Sequence, residues 1–437
     1  MLIYSYIMQI FKNRFLKIFL ILLLQILCVE SIKAQEIEQR LNFTSNPTNA
    51  DYFWLTYNNF GKTIKSNEFN YQLKIRNKKT DYVFTLSNAF SQNSDLKFGE
   101  SFIKYNFSEK KFLRLGMYYR DFSTYLNDEL SSGSMLISNN AKPMKKIGFV
   151  SNKYIKNISF DFGVSHGFFE KNNVYTKAPF LHEKFLYMNI LKKNYEIGVG
   201  FVHEAMWAGG TTTYGNLPSD LKSFFKIFLA QDGPLEEGQP HANALGNHLG
   251  IWDFYYIKKN NERILKIYYQ HFFEDTSGLR FANKTDGLWG IEIENPLPNT
   301  NFLIEYVNTS SCCLDAKYNL PSSYKNDDYY GNYQYTSGWR YDRNIIGNPF
   351  VNTIEQSDIW VRNLEIVKLF HLGINGEILS NYYQIKAARK TNIKDKINYK
   401  ITIGRKIKNI IDLNIYIANN DSTSGLGLGI SYDITKD

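Results

Sequence analysis

From Ser424 to Ile434 the chain reads SGLGLGISYDI, which sets Leu426, Leu428, Ile430, Tyr432 and Ile434 on alternate positions against Gly425, Gly427, Gly429, Ser431 and Asp433. A period of two is that of an extended strand, here with one wholly apolar face backed by one that is small and polar. The pattern recurs. Ile158, Phe160, Phe162, Val164 and Phe168 oppose Ser159, Asp161, Gly163, Ser165 and Gly167, and Ile411, Leu413, Ile415 and Ile417 oppose Asp412, Asn414 and Tyr416. Leu113, Leu115, Met117 and Tyr119 oppose Arg114, Gly116, Tyr118 and Arg120, so charges sit away from the apolar face.

A soluble sandwich shows the same alternation with its apolar face inward, so periodicity alone does not choose a fold. The loops do. The pattern predicts eighteen strands, at 51–60, 69–77, 80–90, 98–107, 111–121, 144–151, 157–169, 183–191, 194–204, 247–257, 263–273, 285–294, 300–309, 362–374, 377–390, 396–406, 409–420 and 424–434. Every connection after an even-numbered strand is short. The long ones, 122–143, 170–182, 205–246 and 310–361, all follow odd-numbered strands, as does 274–284. Short periplasmic turns and long outer loops are the parity of an up-and-down antiparallel barrel in an outer membrane, and a Greek-key sandwich has no reason for it. The expected fold is therefore an all-β transmembrane barrel whose apolar faces meet lipid, whose other faces line a lumen of water or polar loop, and whose sheet closes without an edge. At eighteen strands the bore is wider than side chains alone can plug, so the loops decide whether it conducts.

The N-terminus supplies the compartment. Lys12, Arg14 and Lys17 flank or enter the apolar run FLKIFLILLLQILCV, and Ala34 suits signal peptidase, so residues 1–34 read as a secretory leader and 35–437 as one barrel domain. Leu27 stands where a lipoprotein would need a small residue before Cys28. No later apolar run approaches the length of a spanning helix. Removing four basic residues and Glu30 with the leader lowers the formal charge from +9 to +6. An exported, modestly basic chain makes nucleic acid an implausible partner and leaves acidic polysaccharide or lipid head groups. Cys312 and Cys313 are adjacent and too close for an unstrained disulfide, so no disulfide framework holds the fold. Aromatics make up 16% of the chain, a composition suited to belts at two membrane interfaces around a polar interior.

Three outer loops hold the unusual residues. In 205–246, HEAMWAGG precedes PSDLKSFFKIFLA, where Leu221, Phe224, Phe225, Phe228 and Leu229 fall at helical spacing after Pro218 and Asp220, and this helix is expected to fold over or into the mouth as a lid. Around the next hairpin stand His271, Glu274, Asp275, Arg280, Asn283 and Asp286. The third loop alternates Tyr329, Tyr330, Tyr333, Tyr335 and Trp339 with Asn332, Gln334, Arg340 and Arg343. Flat rings beside amide, carboxylate and guanidinium groups suit carbohydrate, whose sugars offer apolar C–H faces and fixed hydroxyls. Packing that plugs the barrel explains the same rings equally well. His203, His248 and His271 read as buried, hydrogen-bonded histidines in preference to a metal site. Glu274, Asp275 and Asp286 read as a network pinning the hairpin in preference to a Ca²⁺ site. Ser277 beside His271 and Asp275 lacks a nucleophile turn, so an enzyme is not expected.

HEAMWAGG, LPSDLKSFFKIFLA, GNHLGIWDF, YYQHFFEDTSGLRFANKTDGLWG and GNYQYTSGWRYDRNIIGNPF, in that order, resemble the Wzi-type capsule assembly proteins, most densely from about 200 to 375. The resemblance implies an eighteen-stranded outer-membrane barrel, closed by its loops, that acts as a lectin holding capsular or extracellular polysaccharide at the cell surface of a Gram-negative bacterium. A helical bundle that some members carry on the periplasmic side has no counterpart in the short EIEQRLNFTSNPTNA segment, and the chain ends in DITKD in place of a terminal aromatic, which bears on recognition by the barrel assembly machinery. The residues expected to hold polysaccharide are Trp207, Tyr330, Asn332, Tyr333, Trp339, Arg340 and Arg343, with His203, His248, His271, Glu274, Asp275, Asn283 and Asp286 forming a loop network. Expected partners are the polysaccharide, outer-membrane lipid and the barrel assembly machinery, for a monomer without cofactor or metal. The alternative is a porin or polysaccharide export channel, which shares the fold and differs in needing an open bore.

Overall fold

A computed structural model describes residues 36–62, 64, 67–89, 97–122, 127–234, 244–311, 329–351, 366–391, 397–420 and 423–436, so the leader, Cys312 and Cys313 lie outside the described residues. One sheet runs through β1 (Glu36–Ser45), β2 (Asn67–Arg76), β3 (Thr80–Ala89), β4 (Lys97–Phe98, continued past Gly99 by Ser101–Ser108), β5 (Lys111–Tyr118), β6 (Met144–Ile155), β7 (Ile158–Phe168), β8 (Phe180–Leu191), β9 (Tyr195–Trp207) and β10 (Asn247–Asn260). It continues through β11 (Arg263–Phe273), β12 (Gly287–Glu294), β13 (Thr300–Asn308), β14 (Lys368–Ile378), β15 (Asn381–Lys390), β16 (Ile397–Ile407), β17 (Ile411–Asn419) and β18 (Ser424–Lys436). Each strand pairs antiparallel with the next, and β1 pairs with β18 as well as β2, matching Leu41 to Tyr432 and Phe43 to Ile430. The eighteen strands therefore close into a barrel with no free edge.

The number of strands agrees with the sequence, but the first is not where the pattern put it. Residues 51–60 do not form a strand. Tyr52, Phe53, Trp54, Leu55 and Tyr57 are apolar on both alternate sets, which suits neither wall nor lumen alone but suits a segment enclosed on all sides. It enters the bore as a short helix, α1 (Phe53–Thr56), with Tyr52, Trp54 and Leu55 buried. The missing strand is β1, whose outward row Ile37, Gln39, Leu41 and Phe43 is interrupted by a glutamine that masks its period.

Parity holds along the closing strand. On β18 the side chains of Leu426, Leu428, Ile430 and Tyr432 are exposed, while Gly425, Gly427, Gly429 and Ser431 face inward and are buried. Much of the tyrosine also points inward. Tyr187, Tyr255, Tyr268, Tyr382 and Tyr416 each lie over the glycine opposite them on the neighbouring strand, at Gly200, Gly198, Gly290, Gly404 and Gly427, and a Cβ there would meet the ring. Small lumen residues thus serve as beds for aromatic rings, a cross-strand pairing that fixes register.

The lumen is not polar throughout. Near the outer ends of β9 to β14, Val202, Met206, Leu249, Ile251, Phe272, Leu288, Val307 and Leu369 turn inward and form one buried cluster with Met135, Leu136, Trp339, Ile346 and Phe350 from the loops. Further along the same strands the inward positions become polar, as at Asp253, Lys266 and Glu292. The barrel thus encloses an apolar core at its outer end.

Candidate functional site

Two loops meet in that core. Residues 131–141, SSGSMLISNNA, are buried along their whole length, although the sequence places them in an outer loop. Glu305 on the wall accepts from Ser131 Oγ at 2.8 Å, Ser132 N at 2.6 Å and Tyr268 Oη at 2.5 Å. Gln270 accepts from Met135 N at 3.1 Å, and His371 Nε2 lies 2.6 Å from the Leu130 carbonyl. The second loop, 329–351, locks over the first through Ser138 N to Ile346 O at 2.8 Å, Asn140 Nδ2 to Ile345 O at 2.8 Å and Asn348 Nδ2 to Gly133 O at 2.6 Å. With its backbone tied to the wall and from loop to loop, and its apolar side chains inside, this is a folded plug and not loose chain lying in a pore.

The residues expected to touch polysaccharide divide by this plug. Trp339 is fully buried and packs on Phe169 with ring centroids 6.2 Å apart. Tyr330 is buried, its amide donating to Glu274 Oε1 at 2.7 Å. Asn332 turns its Oδ1 back to the amides of Gln334 and Tyr335. Tyr333 and Arg343, in contrast, are exposed. Tyr333 meets Tyr214 of the neighbouring loop edge to face, at 6.2 Å and 78°, and both rings are open to solvent.

Trp207 stands apart from all of these. It shares the outward parity of the exposed Ile197 on β9, so it lies on the far side of the wall from Trp339. Helix α2 (Leu221–Phe228) covers it from outside, with Phe224 at 5.5 Å from its ring, so the helix forms no lid over the mouth. The alternation explains this: His203, Ala205 and Trp207 continue the lipid-side row of β9 beyond the point where its residues stay exposed, and something must shield them.

The loop-network residues also separate into two groups. His203 Nε2 and His248 Nδ1 lie 2.9 Å apart on the outer wall near α2, and His248 Nε2 reaches the Leu245 carbonyl at 2.9 Å. His271, two strands on from His203, meets the Gly278 carbonyl at 3.0 Å and stacks on Phe281 at 4.0 Å. Asp275 caps the short helix α3 (Thr276–Leu279) by accepting from Gly278 N at 2.9 Å. Asp286 accepts from Tyr329 Oη at 2.7 Å and Ser311 N at 2.7 Å, and Asn283 donates to the same Tyr329 oxygen at 3.0 Å. Glu274, Asn283 and Asp286 thus tie the 274–286 loop to the start of the plug. Among the described residues no group of three or more histidine, cysteine or carboxylate side chains is arranged to hold a metal. The side chain of Ser277 lies outside the described positions.

An outer groove of about 260 Å³ opens between the β7–β8 loop and the plug, lined among others by Glu170, Lys171, Asn172, Tyr175, Arg340, Tyr341 and Arg343. Its wall is a small hairpin, Arg340–Tyr341 paired with Asn344–Ile345, whose turn residues Asp342 and Arg343 both have positive φ, +49° and +70°. This is the turn geometry that suits a right-twisted hairpin, and asparagine or glycine normally fills it. An exposed arginine held in the left-handed region at a groove is a strained residue of the kind found at binding sites. Asp342 is anchored by Lys142 at 2.5 Å. Tyr341 Oη donates to Glu170 at 3.2 Å, and Tyr175 Oη lies 2.6 Å from Ser337 Oγ. Burial pushes the Tyr175 phenol up to about 12 and draws the Arg340 guanidinium below its ordinary value, so this floor is partly desolvated. The groove joins the Tyr214–Tyr333 pair through a three-stranded surface sheet, in which Tyr175–Lys177 and Gly215–Asn216 flank Gly210–Thr211. Sequence spacing could not reveal Glu170, Lys171, Asn172 or Tyr214 as neighbours of Arg343, because they come from two other loops.

A family model described as capsule assembly protein Wzi matches residues 55–364, which include the plug and the groove. Among solved structures, Wzi of Escherichia coli, described as an outer membrane protein involved in group 1 capsule assembly and a carbohydrate-binding β-barrel, is similar with a TM-score of 0.59 at 13% identity, over 92% of this chain and 84% of that one. A Rhodopseudomonas blastica porin variant is less similar, with a TM-score of 0.36 at 7% identity, over 91% of this chain and 99% of that one. No curated protein sequence matches.

Proposed function

This chain belongs to the Wzi capsule assembly protein family, and from that premise we propose that it is a closed outer-membrane barrel of a Gram-negative bacterium that holds capsular or extracellular polysaccharide on its outer face without changing it chemically. Cleavage after Ala34 delivers the mature chain to the assembly machinery, and the folded monomer needs no cofactor.

The observation that carries the reading is the pairing of a filled bore with a polar groove facing outward. A channel needs a path, and residues 131–141 and 329–351 occupy the place where one would run. A lectin needs rings and fixed donors at the surface. Tyr214 and Tyr333 offer faces for sugar C–H groups, Asn172 and Glu170 offer hydrogen-bonding groups, and Arg343 with Lys171 offers charge to a uronate carboxylate, on which a guanidinium can fork. Arg340, Trp339 and Tyr330 support this surface from beneath. Each contact contributes on the order of 1 kcal/mol, but a repeating polymer engages many barrels at once, so avidity amplifies small losses.

Tyr333→Ala combined with Tyr214→Ala tests it, since both rings are exposed and their loss leaves the plug intact. Cells carrying the double variant are expected to shed polymer into the medium while total synthesis and the heat-modifiable migration of the barrel stay unchanged. Cell-bound polymer at the wild-type level would move the binding surface elsewhere.

A further inference from the structure

The outer wall of β7 to β10 carries a polar row where lipid contact would otherwise continue. His166, His182, Lys184, His203 and His248 share the outward parity of Val164, Leu186 and Ile197, which are exposed two or more residues nearer the periplasmic turns. At about 3.3 Å of rise per residue and a tilt of roughly 40°, an apolar band about 25 Å tall spans about ten residues of strand, which on β7 reaches from Ile158 to the level of Phe168. The polar row therefore stands at the top of the band.

Helix α2 roofs this row. Asp220 caps it by accepting from Ser223 N at 3.0 Å. Ser223 and Ile227 are buried against the wall, Phe224 and Phe228 lie 5.4 and 5.2 Å from the His182 ring, and Lys184 donates to the Phe228 carbonyl at the helix end. The opposite face is also apolar: Leu221, Phe225 and Leu229 are 71%, 57% and 60% exposed, and Lys222 and Lys226 run beside them. A helix burying one apolar stripe against protein and presenting a second one, edged by lysines, beside an exposed apolar wall is built for a boundary between hydrocarbon and charge.

We propose that α2 is an interfacial foot: Leu221, Phe225 and Leu229 enter the acyl boundary of the outer leaflet, and Lys222 and Lys226 pair with the phosphates of its lipid head groups. This rests on the reading that the barrel wall faces outer-membrane lipid. The exposed stripe continues the lipid-facing wall, and lysine beside it complements an anionic head group, whereas a protein partner would explain neither the height of the helix nor its charge. The foot also fixes the groove, because its loop supplies Gly210–Thr211 to the sheet that holds Tyr175.

The test places a nitroxide label at position 164, 225 or 333 of the full chain, with Cys312 and Cys313 replaced by serine, in vesicles of phosphatidylethanolamine and lipid A. Collision with oxygen against a water-soluble nickel chelate reports depth. Val164→Cys is expected to read as deep, Tyr333→Cys as water, and Phe225→Cys as shallow but inside the interface. Lys222→Glu with Lys226→Glu is expected to cut the phosphate-bearing lipid that copurifies with the barrel at least twofold. Position 225 matching position 333, while 164 reads lipid, would overturn the inference and leave the barrel reading standing. Water-like behaviour at 164 as well would overturn both. Broadening at 225 that grows with protein concentration would assign the face to a second copy of the chain and overturn the lipid assignment.

Discussion

Tyr330 Oη donates to the carbonyl oxygen of Met135 at 2.6 Å and accepts from the amide of Asn348 at 3.0 Å, so one phenol joins two loops inside the bore. Tyr330→Phe keeps the ring and orphans both buried backbone groups, at about 1–3 kcal/mol for each. The cost falls on the plug and leaves the strand ladder untouched. In planar bilayers the wild-type barrel is expected to conduct little or nothing, Tyr330→Phe to open intermittently, and deletion of 310–356 to open fully. Large steady channels from the intact protein would instead support an export pore.

Alkali should loosen the same plug. Burial holds the Tyr330 and Tyr335 phenols above their ordinary value, and at Tyr341 burial is reinforced by Glu170. A phenol whose folded value is raised contributes stability that is fully present below its unfolded value of about 10 and is lost as pH climbs beyond it. Conductance of the wild-type barrel is expected to stay closed through neutral pH and to rise reversibly above about pH 10, with the heat-modifiable band unchanged. A closed barrel at pH 11 would show that these phenols do not govern the plug.

The wall responds to a different chemistry. Leu428 faces outward and Gly427 inward under the Tyr416 ring. Leu428→Arg should cost about 2–4 kcal/mol near the midplane, where the guanidinium would enter hydrocarbon. Gly427→Leu collides with a ring and with the Ser45 carbonyl, so it should impair closure between β17, β18 and β1. Urea unfolding in lipid vesicles separates the two: the arginine penalty shrinks toward the ends of the strand, and the leucine penalty does not.

Period and parity made the barrel legible, because each strand answers to two solvents and each turn to one side of the membrane. They misplaced the first strand because Gln39 breaks an outward row, while Tyr52 to Tyr57, apolar on both faces, resembled a strand when it was plug. The plug itself was half legible. The aromatics of 329–339 announced packing or sugar contact, but SSGSMLISNNA carries no signal that it dives into the bore; its burial depends on Glu305, Gln270 and His371, each on a different strand. Trp207 shows the same limit. Its position after HEAM placed it in a loop, and only the register of β9 reveals that its ring lies outside the wall. Tertiary neighbours from distant loops, as at Arg343, Glu170 and Tyr214, leave no trace in spacing.

The strongest separation of plug from binding surface lies between Trp339 and Arg343. Trp339→Ala empties a fully buried indole site and should cost about 3–5 kcal/mol, so loss of polymer from that variant would report a collapsed plug as readily as a lost contact. Arg343 offers a cleaner probe because its backbone sits at φ +70°, where a residue with a Cβ costs roughly 1–2 kcal/mol and glycine costs far less. Arg343→Gly therefore removes the guanidinium while relieving the turn, and the hairpin from Arg340 to Ile345 should become more resistant to proteolysis. If the strained arginine is retained for polymer, this more stable variant should still release polymer from the cell surface, with Arg343→Lys intermediate because charge survives without the fork. Equal retention by wild type and Arg343→Gly, with a sturdier hairpin, would show that the arginine serves no binding role.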